Sequence, residues 1–304
     1  LNTFYLYTSM PYDTYIMVTE ERFMKCLPKS VIYTQAEIRR LREKNVRYLY
    51  LEKNNHISFL EKSIRLMTKE LNKKISDTGL AIKILISCAT LSQDYIKTVG
   101  PSNTLVSLLS LITSYHTQVI YTLEKMSNIH RYFPSKNYDI GVLAIYKSLH
   151  CEFLANKLSW NHSATKEKLL FSSILHDAFL EKEENSCVID LSTIENEKDK
   201  ADILKHAKQA GKFAHQFTHL PETDFIITQH HLIPDERSFP EKVAVSKINQ
   251  ISALFIIVNH FISEINVKGN DVKKIKSVVK SMESTYTQSS FKQVYLQLKR
   301  IVRA

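Results

Sequence analysis

With 304 residues, 44% of them hydrophobic and 24% charged, the chain can bury a large core and has the length of about two domains. A formal charge of +10 suits an anionic partner, but the lysines are scattered through helical stretches such as Lys268 to Lys280. With no arginine-rich run and no aromatic strand platform, nucleic acid is not an expected partner. The longest apolar run, Ile251 to Val258, is far short of the ~18 residues of a membrane span, and Leu1-Asn2-Thr3-Phe4 does not open a secretory signal. Cys26, Cys88, Cys151 and Cys187 are widely spaced without a Cys-x-x-Cys, which argues against a zinc knuckle or disulfide framework and fits a cytoplasmic location.

In chain order, residues 1 to 55 form a small α/β module. Asp13 to Val18 and Arg22 to Leu27 are β-prone runs, and Thr19-Glu20-Glu21 between them has hairpin-turn length. Gln35 to Arg42 reads as a short helix with Ile38 and Leu41 inward, and Asn45 to Leu51 alternates as a third strand. From Ile57 the period becomes helical, with Ile57, Leu60, Ile64, Met67 and Leu71 on one stripe. Residues 56 to 79 are therefore a connecting helix and linker.

Residues 80 to 304 read as all-helical. Leu80 to Thr98 and Asn103 to Met126 are divided by Gly100-Pro101-Ser102. The second carries a heptad-like stripe of Leu105, Leu108, Ile112, Tyr115, Val119, Leu123 and Met126, suited to core packing or to the seam of a homodimer. Further helices are expected over 139–158, 166–180, 201–217, 225–231, 243–265, 271–282 and 289–302. The fold class is mainly α, with the small α/β module at the amino end.

Chemical character is concentrated in the histidines. Ser173-Ile174-Leu175-His176-Asp177 ends an apolar run on an imidazole and a carboxylate, two ligand types that suit the same metals. His150, His206 and the pair His230-His231 stand on other helical stretches. Buried imidazoles need partners for both ring nitrogens, and a metal gathers several of them at once. His215 and His260 are reserves, while His56, His116, His130, His162 and His219 read as solvent-facing or locally satisfied.

The order of these residues resembles the HD-GYP domain, a helical phosphodiesterase branch of the HD superfamily that hydrolyses cyclic di-GMP. The resemblance runs over about residues 80 to 270 and rests on His150, His176-Asp177, Lys205-His206-Ala207 and Gln229-His230-His231. It implies a two-metal centre, with one ion on His150, His176, Asp177 and Asn259 and the other on Asp177, His206, His230 and His231. Asp177 bridges, His176 and Asp177 are central to catalysis, and a hydroxide between the ions attacks the phosphate. Similarity to the family favours iron or manganese, with zinc also compatible with the ligands. Tyr146, four residues before His150, stands where three-metal members have a carboxylate, so two ions are expected.

The departures concern substrate. Leu180 stands where the family has a phosphate-touching lysine, and Glu236, Ser238 and Phe239 replace the Gly, Gly and Tyr of the signature loop. Asp235, Arg237 and Phe239 are the residues left in that loop to meet substrate, and either Asn259 or His260 faces the metals. The expected activity is a divergent bacterial phosphodiesterase acting on cyclic di-GMP or a related cyclic dinucleotide. The alternative is a weakly active or inactive sensor that signals to a protein partner through the amino-terminal module or the 232–240 loop.

Overall fold

The computed structural model describes residues 9–19, 22–44, 46, 48–240 and 244–303. The chain opening at Leu1 to Phe4, the hairpin-turn residues Glu20 and Glu21, Asn45 and Arg47 of the third strand, and Val243 fall outside them.

The amino-terminal module has its own small core. Strands β1 (Thr14–Thr19) and β2 (Arg22–Leu27) pair antiparallel, with Tyr15 opposite Lys25 and Met17 opposite Phe23. Leu27 packs with Met10, Tyr33, Ile38 of helix α1 (Gln35–Glu43) and Phe59 of helix α2 (Lys53–Leu71). The expected third strand is reduced to one bridging pair, with Tyr15 N donating to Tyr50 O at 2.9 Å and Tyr50 N to Tyr15 O at 2.8 Å. Leu49 and Leu51 pack against the small core, and among the described residues of this run only Tyr50 pairs with β1.

Helix α2 is more than a connector. Phe59 faces the small core, while Leu60, Ile64, Met67 and Leu71 face the main one, so its two faces are a wall shared by both. The following linker is tight. Asp77 caps α3 (Thr78–Thr98) by accepting from Leu80 N, and Ser102 caps α4 (Asn103–Thr122) by accepting from Leu105 N at 3.2 Å. The whole stripe from Leu105 to Met126 is buried inside the chain, which assigns it to the core and removes it as a dimer seam.

Two helices form the centre. α6 (Ile140–Lys157) and α10 (Gln250–Lys268) carry apolar residues around most of their circumference, as expected of helices enclosed on all sides. Leu254 to Val258, Phe261 and Ile262 have no exposed surface. By length and composition α10 alone among the described residues could cross a bilayer, but here it is packed against α6, α7 (Ser163–Leu175), α9 (Thr223–Thr228), α11 (Val272–Ser281) and α12 (Ser289–Arg303). α5 (Met126–Ile129) is a single turn leading towards α6.

Three helices end close to the centre. α7 (Ser163–Leu175) stops five residues before the expected boundary, so His176 is its C-cap and Asp177 lies in the turn beyond. α8 (Glu197–Ala214) carries His206 on its buried face, and α9 (Thr223–Thr228) leads into the turn holding His230 and His231. α8 and α9 touch at Gly211, where an added Cβ would lie 2.3 Å from Thr228 Cγ2. Gly211→Ala is therefore expected to lower stability by roughly 1–3 kcal/mol through overpacking, read by urea denaturation. Val272→Ala, at an exposed position, should change it by no more than about 0.5 kcal/mol.

Candidate metal centre

Asp177 is buried with imidazoles on both edges of its carboxylate. Oδ2 lies 3.0 Å from His176 Nε2 and 3.1 Å from Lys147 Nζ. Oδ1 lies 3.4 Å from His206 Nε2 and 3.7 Å from His230 Nε2. Asp177, His206, His230 and His231 each offer one ligand atom, and these four atoms all fall within 4.8 Å of one another.

The backbone fixes the tautomers. His206 Nδ1 is 2.6 Å from Ile203 O, His230 Nδ1 is 2.6 Å from Ile227 O, and His176 Nδ1 is 3.0 Å from Ser173 O. A carbonyl can only accept, so each Nδ1 carries the proton and each Nε2 presents a lone pair. Yet His206 Nε2 and His230 Nε2 face each other at 3.2 Å, and buried His231 Nε2 has no partner. Two lone pairs and a carboxylate oxygen thus converge with no proton among them, and the unpartnered ring of His231 stands beside them. A cation resolves that repulsion. Bonds of about 2.1 Å place tetrahedral ligands about 3.4 Å apart, which matches these separations.

Electrostatics keep the groups in their ligand forms. Burial, reinforced by the neighbouring imidazoles, holds His230 and His231 well below the ordinary histidine range and so neutral. For Asp177, burial works to raise the pKa, but His176 and Lys147 beside it outweigh that and hold the carboxyl well below its usual value.

Of the remaining expected residues, His150 lies elsewhere. Its ring packs against His130, Tyr146 and Phe261, its Nδ1 bonds Tyr146 O at 2.8 Å, and its buried Nε2 is unpartnered. The α6 residue set against His176 and Asp177 is Lys147, one turn earlier, which is fully buried with Nζ 2.8 Å from His176 Nε2. Sequence reasoning missed it, although a lone lysine inside a helix apolar around its circumference was a visible signal.

On α10, Asn259 donates from Nδ2 to His230 O at 3.3 Å and keeps a buried, unpartnered Oδ1, while His260 bonds the Tyr286 hydroxyl at 2.8 Å on another face. His116, expected at the surface or satisfied locally, is buried between Glu152 at 2.6 Å and Ser148 at 2.9 Å. Asp235 and Arg237 pair with each other and with Thr285.

Phe239 stacks on His231, with centroids 4.1 Å apart and planes at 27°. It packs with Leu180, Ile140 and Ile203 into a small apolar cluster beside the histidines.

No family model matches the chain, and no curated protein matches it. Among solved structures, Bd1817, a HDG"Y"P protein from Bdellovibrio bacteriovorus, superposes with a TM-score of 0.66 at 14% identity over 97% of this chain and 95% of that one. The chain has the HD-GYP fold. The match takes in the amino-terminal module as well as the helical body, and the buried Asp177 and histidine cluster fits a metal site of HD type.

A buried histidine outside the cluster contributes to the acid sensitivity of the fold. Burial lowers the pKa of His130 from 6.5 to about 4. The unfolded chain therefore binds a proton first as pH falls, and stability present above pH 6.5 is lost progressively down to about pH 4, by up to about 3 kcal/mol. Urea denaturation at pH 7 and pH 4.5 should show this loss in the wild type and a smaller one in His130→Gln.

Proposed function

We propose that this chain is a metal-dependent phosphohydrolase of HD type whose substrate is cyclic di-GMP or a related cyclic dinucleotide. The observation that supports the reading most is the convergence of Asp177 with His206, His230 and His231, in which the facing Nε2 atoms of His206 and His230 have no proton between them, on an HD-GYP fold. This donor set suits iron, manganese or zinc. A divalent ion bound there would polarise a phosphoryl oxygen and lower the pKa of water for attack.

The chain's own residues do the rest. Ile203 O and Ile227 O orient the imidazoles of His206 and His230, and Asn259 fixes the His230 backbone. Asp177 stays ionised and offers its second edge to His176 and Lys147. Arg237 meets a substrate phosphate only when its pairing with Asp235 opens. Phe239 and Leu180 exclude water from the centre and must move for a dinucleotide to enter.

That cover favours a second reading, in which the metal centre is retained in a weakly active or inactive module. Such a module binds a cyclic dinucleotide and signals to a protein partner through the amino-terminal module or the 232–240 loop.

Purified chain supplied with Mn²⁺ or Fe²⁺ is expected to bind metal and hydrolyse cyclic di-GMP slowly. Asp177→Ala should lose the metal and at least about 10²-fold of the rate. Metal and dinucleotide binding without turnover would establish the second reading, and absence of bound metal would defeat both. In the first reading Phe239→Ala opens the cover, so kcat for cyclic di-GMP should rise while metal content is unchanged. A fall in kcat at full metal content would instead give Phe239 a role in holding the substrate.

A further inference from the structure

We infer that Lys147 supplies, as a tethered ammonium, the positive charge that a second metal ion would otherwise bring, so that the centre holds one ion per chain rather than a pair. This rests on the metal-binding reading above.

The argument begins with the two edges of Asp177. The Oδ1 edge meets only lone pairs, from His206 and His230 with unpartnered His231 beside them. The Oδ2 edge is already satisfied. Lys147 Nζ is 3.1 Å from Oδ2 and 2.8 Å from His176 Nε2, and those two acceptors are themselves 3.0 Å apart. The three atoms form a nearly equilateral triangle, two sides of which are hydrogen bonds donated by Lys147.

His176 Nδ1 donates to Ser173 O, so Nε2 has a single lone pair, and the lysine N–H occupies it. A metal on this edge needs that same lone pair and the same carboxylate oxygen. It would also sit against an ammonium that water does not screen, because Lys147 has no exposed surface. Lysine and metal are therefore alternatives at this edge.

Charge and ligand supply agree. Lys147 is paired with a carboxylate, as a buried ammonium must be. One divalent ion plus Lys147 already sets three positive charges against one at Asp177, and a second ion would make it five. The expected ligand His150 is not part of the Asp177 cluster, and its ring packs on those of His130, Tyr146 and Phe261. Lys147 and His150 are one turn apart on α6, so the helix that would furnish a ligand furnishes a cation.

The test is metal stoichiometry on the full chain reconstituted with Mn²⁺, read by elemental analysis and by electron paramagnetic resonance. The wild type should hold one ion with the spectrum of an isolated Mn²⁺. His176→Ala, which removes a ligand the ion does not use, should still hold one. Lys147→His exchanges the ammonium for an imidazole and should raise the content from one to two, with exchange coupling between the ions.

Two ions in the wild type, or loss of metal in a folded His176→Ala chain, overturns the inference and leaves the metal-binding reading standing. So does a folded Lys147→His chain that remains at one ion. A wild type that binds none overturns that reading and the inference with it. The wild-type and His176→Ala measurements keep the test decisive should Lys147→His fail to fold.

Discussion

The structure depends on one carboxylate with two different edges. Asp177 is delivered by the end of α7, at the point where the helix terminates on His176 and the chain turns. One oxygen is held by a lysine from α6 and an imidazole from α7, and the other faces imidazoles carried by α8 and by the turn after α9. α7 packs against α6 and α10, α9 against α10 and α7, and α8 against α9, so the core sets the distances at which the polar atoms meet. Removing the carboxylate would leave Lys147 as an uncompensated buried charge, a change that typically costs about 3–5 kcal/mol. The same group therefore links the stability of the fold to whatever chemistry the centre performs.

The centre is well formed but closed. Its imidazoles are orientated by backbone carbonyls at 2.6 Å, which is the preorganisation a metal requires. Above them Phe239 stacks on His231, and Leu180 packs in the same apolar cluster beside the histidines. Dryness strengthens every charge interaction inside, but it also makes entry of an anionic substrate depend on motion of the cover.

Much of this was legible in the sequence, for identifiable reasons. His176-Asp177, His206 and His230-His231 stand out because imidazoles next to apolar helical surface need an explanation, and the structure brings them together. The helical body was equally visible in its 3.6-residue period. Helix phase was not. His150 and Lys147 lie one turn apart on a helix buried all round, so no polar face indicates which side chain meets Asp177, and ligand chemistry favoured the histidine. On α10, likewise, Asn259 and His260 are adjacent, and only the packing of Tyr286 against His260 separates their roles. The third strand failed because alternation over Asn45 to Leu51 describes a half-buried segment but not whether a partner strand is free to pair. The stripe on α4 has the spacing of a dimer seam and of a core helix alike, and the two are told apart only by what covers it.

Anomalous X-ray diffraction at the absorption edge of the bound metal tests the central claim most directly. The account predicts a single strong peak per chain, within bonding distance of Asp177 Oδ1 and of His206, His230 and His231. A peak bonded to His176 and Asp177 Oδ2 on the Lys147 side, or no peak among the histidines of a metal-saturated crystal, would contradict it.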